Sequence, residues 1–221
     1  AAGAFAPRVG LDPLCRAVSD NHWNRSARIA TPASPPGLRG IVTRPPDDST
    51  PRPPPRHLDN AIIYELHVGG FTRPPSAGVS QPGTWAGLSE KIPYLRDLGI
   101  THVQLLPVAA FDEQDVPASV AEKELRNYWG YSPHSLCSPH PGYSRHRDLA
   151  SQTDEFRALV EALHAADIGV ILDVVLNHTA EGGTQGPVIN YKGLMPEAFY
   201  HHDEGVLRDY TGCGNTINCN H

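Results

Sequence analysis

The sequence predicts an α/β fold in which parallel strands alternate with helices. Three apolar segments, 61–68, 101–107 and 169–178, have the composition of strands. Two segments with apolar residues at helical spacing, 87–98 and 153–166, lie between them. Because each helix separates two strands, the connections are right-handed crossovers between parallel strands.

The chain before the first strand is predicted to hold no core of its own. Residues 1–31 contain only scattered apolar side chains, so we expect them to pack against another part of the protein. Residues 32–57 contain repeated prolines, which fix φ and remove N–H donors. This composition predicts an extended linker rather than helix or sheet, and a proline motif that binds a partner domain is the alternative.

Residues typical of chain turns and helix ends follow the first predicted strand and the first predicted helix. Segment 61–68 ends at a pair of glycines, and the helix over 87–98 is followed by Gly99, a residue typical of helix C-termini. Pro93 lies inside this helix, where proline either kinks the helix or marks its true first turn. We therefore expect an interruption near residue 93.

The second helix is the clearest element, and a long connection precedes it. Segment 101–107 is followed by a polar stretch over 109–152, which is too long for a plain loop and so is predicted to be functional. In 153–166, apolar residues recur at i, i+3, i+4 and i+7, and acidic residues in the first turn suit the helix dipole.

The third strand holds the candidate chemistry. Segment 169–178, with the sequence GVILDVVLNH, is predicted to be a strand buried on both faces. Asp173 lies near its carboxyl end, the edge at which α/β sheets place their sites. A carboxylate in so apolar a strand is costly unless it is bound, and a purely structural pairing is the alternative. Because Asn177 and His178 lie at the same end, the pattern favours a site.

Composition narrows the class of protein and its partners. The net charge of −6 argues against a nucleic-acid partner, and no apolar run reaches the roughly 18 residues that a membrane span needs. Nothing resembles a signal peptide, and the four cysteines lack the spacing of a disulfide scaffold, so a reduced, cytoplasmic protein is expected. Three parallel strands cannot close a barrel, so we expect the chain to be a fragment.

Five sequence blocks follow one another along the chain: YELHV with GFT (64–72), YLRDLGIT with LLPV (94–108), NYWGY (127–131), LDVVLNHTAEG (172–182) and YTGCGNT with Asn218 (210–218). In this order they resemble the α-amylase superfamily of glycoside hydrolases (family 13). Within it they are most similar to the isoamylase and glycogen-debranching type. Asp167 stands where relatives often have a glycine, a position that Asp can fill because it adopts the left-handed conformation.

The resemblance implies an incomplete (β/α)8 TIM barrel. Its first three strands would lie in 58–221, the N-terminal part of a catalytic barrel. Residues 1–31 would be the end of a β-sandwich, carbohydrate-binding-like domain, because residues 11–18 are similar to the exit from that domain. The Pro-rich linker, 32–57, would join the two.

The same resemblance implies hydrolysis of α-1,6 branch points in glycogen or a related α-glucan, with retention. Retention requires a nucleophilic carboxylate and a carboxylic acid about 5–5.5 Å apart. Both are expected beyond His221, so this chain would contain no catalytic residue and would be inactive alone. The implied substrate-binding residues are Tyr131, which stacks on a sugar, His178, which donates to a sugar hydroxyl, Asp173, which orients its neighbours, and Trp129 and Asn177 beside them.

Other interpretations stay open at this stage. Tyr131 could be a core tyrosine and His178 a structural histidine. The chain could be a non-catalytic glucan-binding remnant, or part of a trehalohydrolase or transglycosylase on the same barrel. No metal or cofactor is expected, because the C-x5-C-x-H spacing of Cys213, Cys219 and His221 does not match a zinc site. The oligomeric state is not predicted.

Overall fold

A three-stranded parallel sheet forms the centre of the computed structural model, which describes residues 10–31, 37–44, 58–147 and 151–220. The strands are β1 (Val18–Ser19), β2 (Arg39–Gly40), β3 (Ile63–Leu66), β4 (His102–Leu105), β5 (Ala109–Phe111), β6 (Pro133–Pro139), β7 (Gly169–Leu172), β8 (His202–Asp203) and β9 (Val206–Leu207). The helices are α1 (Arg25–Ala30), α2 (Val68–Thr72), α3 (Trp85–Ser89), α4 (Ile92–Asp97), α5 (Ala118–Ala121), α6 (Gln152–Ala165), α7 (Tyr191–Leu194) and α8 (Pro196–Phe199), with 3₁₀ turns at Pro75–Ala77 and Pro141–Tyr143.

The sheet has the order β3-β4-β7, and both pairings are parallel. Leu66, Leu105 and Leu172, the last residues of the three strands, lie side by side in register. The residues that follow each strand therefore meet at one edge of the sheet. This arrangement confirms the predicted parallel α/β architecture.

Two helical crossovers pack on the sheet. The predicted helix over 87–98 is two helices, α3 and α4, and Pro93 lies in the first turn of α4, the second of the two expected outcomes. Gly99 follows with φ 81°, and Asp167, after α6, has φ 63°, so both positions are left-handed as predicted. The core between sheet and helices is apolar and includes Leu66, Trp85, Leu88, Leu95, Val103, Leu105, Leu159, Leu163 and Ile168.

The third strand is shorter and more exposed than predicted. Pairing covers only Gly169–Leu172, and the strand is not buried on both faces. Leu172 is 42% exposed, Val174 60% and Leu176 57%. The reason is topological: within the described residues β7 has a neighbour, β4, on one side only.

The segment predicted as a long polar loop, 109–152, contains its own small sheet. β5 and β6 pair antiparallel, with register shifts along β5. The hairpin buries polar residues, among them His134, Ser135 and His140. Alternating polar and small residues conceal this strand in the sequence, because the buried face of β6 is itself polar.

The N-terminal segment packs on the loop that follows β7. Leu11, Cys15, Val18, Trp23 and Leu38 form a second apolar cluster with Ala180 and Ile189. β1 pairs antiparallel with β2, so Arg39–Gly40, inside the predicted linker, form a short strand, and the expectation that the linker contains no sheet is wrong at these residues. The remainder of the linker, 32–36 and 45–57, lies outside the described residues, and the β-sandwich origin of 1–31 stays a prediction. No helix in the described ranges is long and apolar enough to cross a membrane.

Candidate functional site

Tyr131 and Asp173 meet at the carboxyl edge of the sheet. Asp173 follows β7 directly, and its backbone N–H donates to the carbonyl of Leu105 at 3.0 Å, which extends the parallel register by one residue. The Tyr131 hydroxyl donates to Asp173 Oδ2 at 2.5 Å. This hydrogen bond, together with burial and the charge of Asp173, raises the pKa of Tyr131 to about 12. The Asp173 carboxylate therefore accepts a hydrogen bond from the Tyr131 side chain, and its role in binding substrate stays a prediction.

His178 fixes the loop that carries Tyr131. Its Nε2 lies 2.6 Å from the carbonyl oxygen of Tyr131, and its Nδ1 lies 3.1 Å from Asn177 Nδ2. Because a carbonyl only accepts, Nε2 carries the proton, and Nδ1 accepts from the amide of Asn177. Both ring nitrogens are thus used within the protein, and the ring is 7% exposed. This arrangement favours the structural role of His178, and its donation to a sugar hydroxyl stays a prediction.

Two aromatic rings lie open beside the carboxylate. Tyr131 is 37% exposed and Trp129 is 66% exposed, so neither side chain belongs to the buried core of the described residues. Their rings meet edge to face, with centroids 6.5 Å apart. Rings held by a hydrogen bond on one side and open on the other can stack on an apolar ligand face. Asn177 is exposed next to them, and its carbonyl accepts from the N–H of Ile217.

A cavity of about 270 Å³ adjoins the same edge. Asp173 and Gly130 line it, and most of its other lining residues are apolar and come from β6 and from the segments that follow β4 and β7. Gly130 has φ 86°, and a Cβ there would lie 3.0 Å from the carbonyl oxygen of Pro107. The glycine therefore allows the loop to pass close to the end of β4 immediately before Tyr131.

His67 is a residue of this edge that the sequence analysis did not single out. It follows β3, and its Nδ1 accepts from the N–H of Gly70, capping α2. Its Nε2 lies 2.7 Å from the carbonyl of Tyr128, on whose ring it stacks with centroids 4.0 Å apart. Burial lowers its pKa. The available signal was positional, because His67 stands directly after a strand, as Asp173 does.

A buried polar network shapes the loop after His178. Glu181 is fully buried, and its carboxylate accepts from the backbone N–H groups of Ile189, Asn190 and Lys192 at 2.6–2.9 Å and from the Tyr200 hydroxyl at 2.6 Å. Lys192 donates to the Glu181 carbonyl at 2.6 Å and also to Gly183 and Gly186. Burial lowers the pKa of Lys192 to about 8, against the opposing charge of Glu181. Such a loop is fully satisfied internally and holds one conformation.

Arg25 connects the N-terminal segment with both loops of the site. Its Nη1 donates to Asp112 Oδ2 at 2.8 Å and to the carbonyl of Ala180 at 2.7 Å, and its Nη2 lies 2.7 Å from Asp115 Oδ1. Asp115 in turn accepts from the Ser132 hydroxyl at 2.8 Å. These contacts are not evident in the sequence, because Asp112 lies nearly 90 positions and Ala180 more than 150 positions from Arg25.

No group of three His, Cys, Asp or Glu side chains in the described part of the chain is arranged to hold a metal ion. His221, one member of the candidate zinc set, lies outside the described residues. Cys213 and Cys219 are exposed free thiols.

Comparison with known proteins identifies the family. The model of the α-amylase catalytic domain matches residues 47–204. The chain belongs to the α-amylase family. This membership confirms the resemblance seen in the sequence and is consistent with the central sheet being part of a (β/α) barrel.

Relatives of this α-amylase-family chain include an isoamylase and a glycogen operon protein. It is 40% identical over 166 residues to isoamylase 1, chloroplastic, of Arabidopsis thaliana, covering 72% of this chain and 21% of that protein. It is 41% identical over 180 residues to the glycogen operon protein GlgX homolog of Mycobacterium bovis, covering 79% of this chain and 24% of that one.

Among solved structures, a pullulanase of Paenibacillus barengoltzii in complex with maltohexaose and α-cyclodextrin matches with a TM-score of 0.73 at 27% identity. The match covers 94% of this chain and 32% of the pullulanase. The chain thus spans about a quarter or less of these curated relatives and about a third of the solved enzyme.

Proposed function

We propose that the chain is part of a glycosidase that hydrolyses α-1,6 branch points of glycogen or a related α-glucan. Its similarity to an isoamylase and a GlgX homolog supports the debranching type, and its similarity to a pullulanase complexed with maltohexaose supports an α-glucan substrate. The observation that carries the proposal is the Tyr131–Asp173 hydrogen bond at the carboxyl edge of a parallel sheet. In barrel enzymes that edge is where substrates bind.

The proposed glucan contacts are Tyr131, Trp129 and Asp173, with Asn177 beside them. Sugar rings have an apolar face that suits aromatic side chains and hydroxyls that suit a carboxylate. Holding Tyr131 by its hydroxyl leaves its ring face for stacking. Asp173 is not proposed as the nucleophile, because retention requires a second carboxylic group about 5–5.5 Å away, and the resemblance places both partners beyond His221.

The activity test compares this chain with the full-length protein from which it comes. We expect the full-length protein to release reducing ends from glycogen and not from linear amylose, whereas the 221-residue chain releases none. Reducing ends released by the chain alone would refute the assignment of the catalytic pair to residues beyond 221. A full-length protein that acts on linear chains, transfers glucose units or hydrolyses a trehalose-ended glucan would refute the debranching assignment.

The binding test uses the chain itself. Maltohexaose should change the fluorescence of Trp129, and Tyr131→Ala should abolish this change. Tyr210→Ala is the matched control, because Tyr210 is 75% exposed and outside the proposed site. Equal losses in both variants, or a response to cellohexaose as strong as that to maltohexaose, would contradict an α-glucan site at Tyr131.

A non-catalytic glucan-binding protein is the second candidate, favoured by the exposed aromatic pair in a chain without the catalytic carboxylates. The coding sequence beyond residue 221 separates the two: a strand that supplies the nucleophile indicates an enzyme, and a stop codon indicates a binder. We also propose a cytoplasmic setting, which the free state of all four cysteines supports.

A further inference from the structure

We propose that Arg25 is a positioning residue for the glucan site, acting from the segment before the linker on the two loops that carry Tyr131 and His178. This inference rests on the proposed function for its effect on sugar binding, and on the contacts of the guanidinium for its effect on the loops. It places residues 10–31 within the architecture of the site.

The Arg25 guanidinium links two segments of the chain. Arg25 reaches the 112–115 turn through two carboxylates, at 2.8 Å and 2.7 Å, and the loop after β7 through the carbonyl of Ala180 at 2.7 Å. The rigid planar fork of arginine suits this purpose, because it binds several acceptors at fixed angles. Its side chain is 13% exposed, and that of Asp112 is fully buried. These contacts are therefore stronger than exposed ion pairs.

The residues that Arg25 contacts are only a few positions along the chain from Tyr131 and His178. Asp115 holds the hydroxyl of Ser132, the residue after Tyr131. Ala180 stands two residues after His178, and its own N–H donates to the carbonyl of Pro133 at 2.8 Å. The loops also meet through His178 Nε2 and the Tyr131 carbonyl. Arg25 thus closes a ring of contacts around the junction between the two loops.

Contacts of the neighbouring residues fix the position of Arg25. Trp23 Nε1 donates to Asp112 Oδ1 at 2.7 Å, and the backbone N–H of Arg25 donates to Gln114 Oε1 at 2.9 Å. The Gln114 amide donates to the Trp23 carbonyl at 2.7 Å. Residues 23–25 are therefore bound to the turn independently of the guanidinium, so that replacing it removes the link to the loops without freeing the segment.

Arg147 provides a matched control. It also ties the N-terminal segment to the same hairpin, through Asp20 at 2.6 Å and Glu113 at 2.8 Å. Among the described residues, none of its hydrogen bonds or ion pairs reaches the loops of Tyr131 or His178. Arg147→Met therefore loosens the segment without touching the junction, whereas Arg25→Met removes the junction's charged contact.

The experiment is amide hydrogen exchange of the 221-residue chain, followed at Ala180 by NMR. We expect Arg25→Met to speed this exchange by at least about tenfold, the factor that corresponds to ~1.4 kcal/mol of local opening, with Arg147→Met close to wild type. The amide of Leu105, in the central strand, should not change in either variant. In Arg25→Ala, added methylguanidinium should restore slow exchange at Ala180, while methylammonium at the same concentration should not.

Equal exchange at Ala180 in wild type and Arg25→Met, or equal acceleration by Arg147→Met, would overturn the proposal. If Arg25→Met does not fold, Arg25→Lys replaces it and should give an intermediate rate, because a single ammonium cannot hold all three acceptors. Maltohexaose titration is the second arm: Arg25→Met should bind about tenfold more weakly than wild type. A wild type that does not bind maltohexaose would count against the proposed function, and the exchange result would still decide the role of Arg25.

Discussion

Replacing Asp173 by asparagine tests the contact on which the candidate site depends. The hydrogen bond to Asp173 is the largest cause that raises the pKa of Tyr131 from 10 to about 12. Asparagine preserves the shape and an acceptor oxygen but removes the charge. We therefore expect the pKa of Tyr131 to fall back toward 10 in Asp173→Asn.

The magnitude can be worked at pH 11. A phenol with a pKa of about 12 is roughly one-tenth ionised there, and one with a pKa of about 10 is roughly nine-tenths ionised. The assay is the absorbance of tyrosinate across an alkaline titration. Because the chain has 8 tyrosines, each curve is compared with that of the same protein carrying Tyr131→Phe, and the difference belongs to Tyr131. Far-UV circular dichroism checks that the chain stays folded.

Glu65→Gln is the control for a charge that acts at a distance. Glu65 is the smallest of the four causes that raise the pKa of Tyr131, and its carboxylate accepts from Gln104 at 2.8 Å instead. The Glu65→Gln substitution should therefore lower the pKa of Tyr131 far less than Asp173→Asn does. Equal titrations of Tyr131 in wild type and Asp173→Asn, or an equal effect of Glu65→Gln, would refute a specific Tyr131–Asp173 hydrogen bond.

Three further predictions concern stability, each measured by urea unfolding. Leu105→Ala should cost about 2–5 kcal/mol, because Leu105 is fully buried in the central strand, whereas Leu194→Ala, at a side chain 61% exposed, should cost less than about 0.5 kcal/mol. Gly130→Ala should cost about 1–3 kcal/mol, because φ is 86° and the new Cβ would crowd the Pro107 carbonyl. His134 has its pKa lowered by burial from 6.5 to about 3, so the unfolded chain binds more protons in that range. Stability should therefore be lost as pH falls from 6.5 to 3, by about 1.4 kcal/mol per pH unit from this group, and His134→Gln should make the fall shallower.

The elements with strong periodicity could be predicted from the sequence. The apolar spacing in α6 gave its limits to within one residue at each end, because one face of a long helix must meet the core. Pro93 and Gly99 marked real boundaries for the same local reason, since each fixes or permits a particular φ. The composition of 169–178 placed Asp173 near the carboxyl end of a strand, although the strand ends at Leu172 and is shorter than predicted.

What escaped prediction depends on contacts between distant residues. The β5–β6 hairpin has a buried face of histidine and serine, which no apolar alternation reveals. Arg25 and Glu181 are ordinary charged residues in the sequence, and their roles arise from partners that the fold brings together. The partners of His178 are likewise set by the fold, because its ring nitrogens contact Tyr131 and Asn177, and its donation to a sugar stays a prediction.

Apolar side chains lie exposed on β7 and on the segment that follows it, beside the candidate site. Leu172, Val174 and Leu176 are each 42–60% exposed, and burying such a side chain fully stabilises a protein by about 1.5–3 kcal/mol. Burying the exposed fractions of these three side chains would contribute about 2–5 kcal/mol, which reaches the lower limit of the roughly 5–15 kcal/mol of a whole domain. A parallel strand that covers this edge would also bring its own carboxyl end beside Asp173. We therefore expect a strand that supplies the proposed catalytic carboxylate to bury these side chains as well, so that completing the proposed site would also stabilise the sheet.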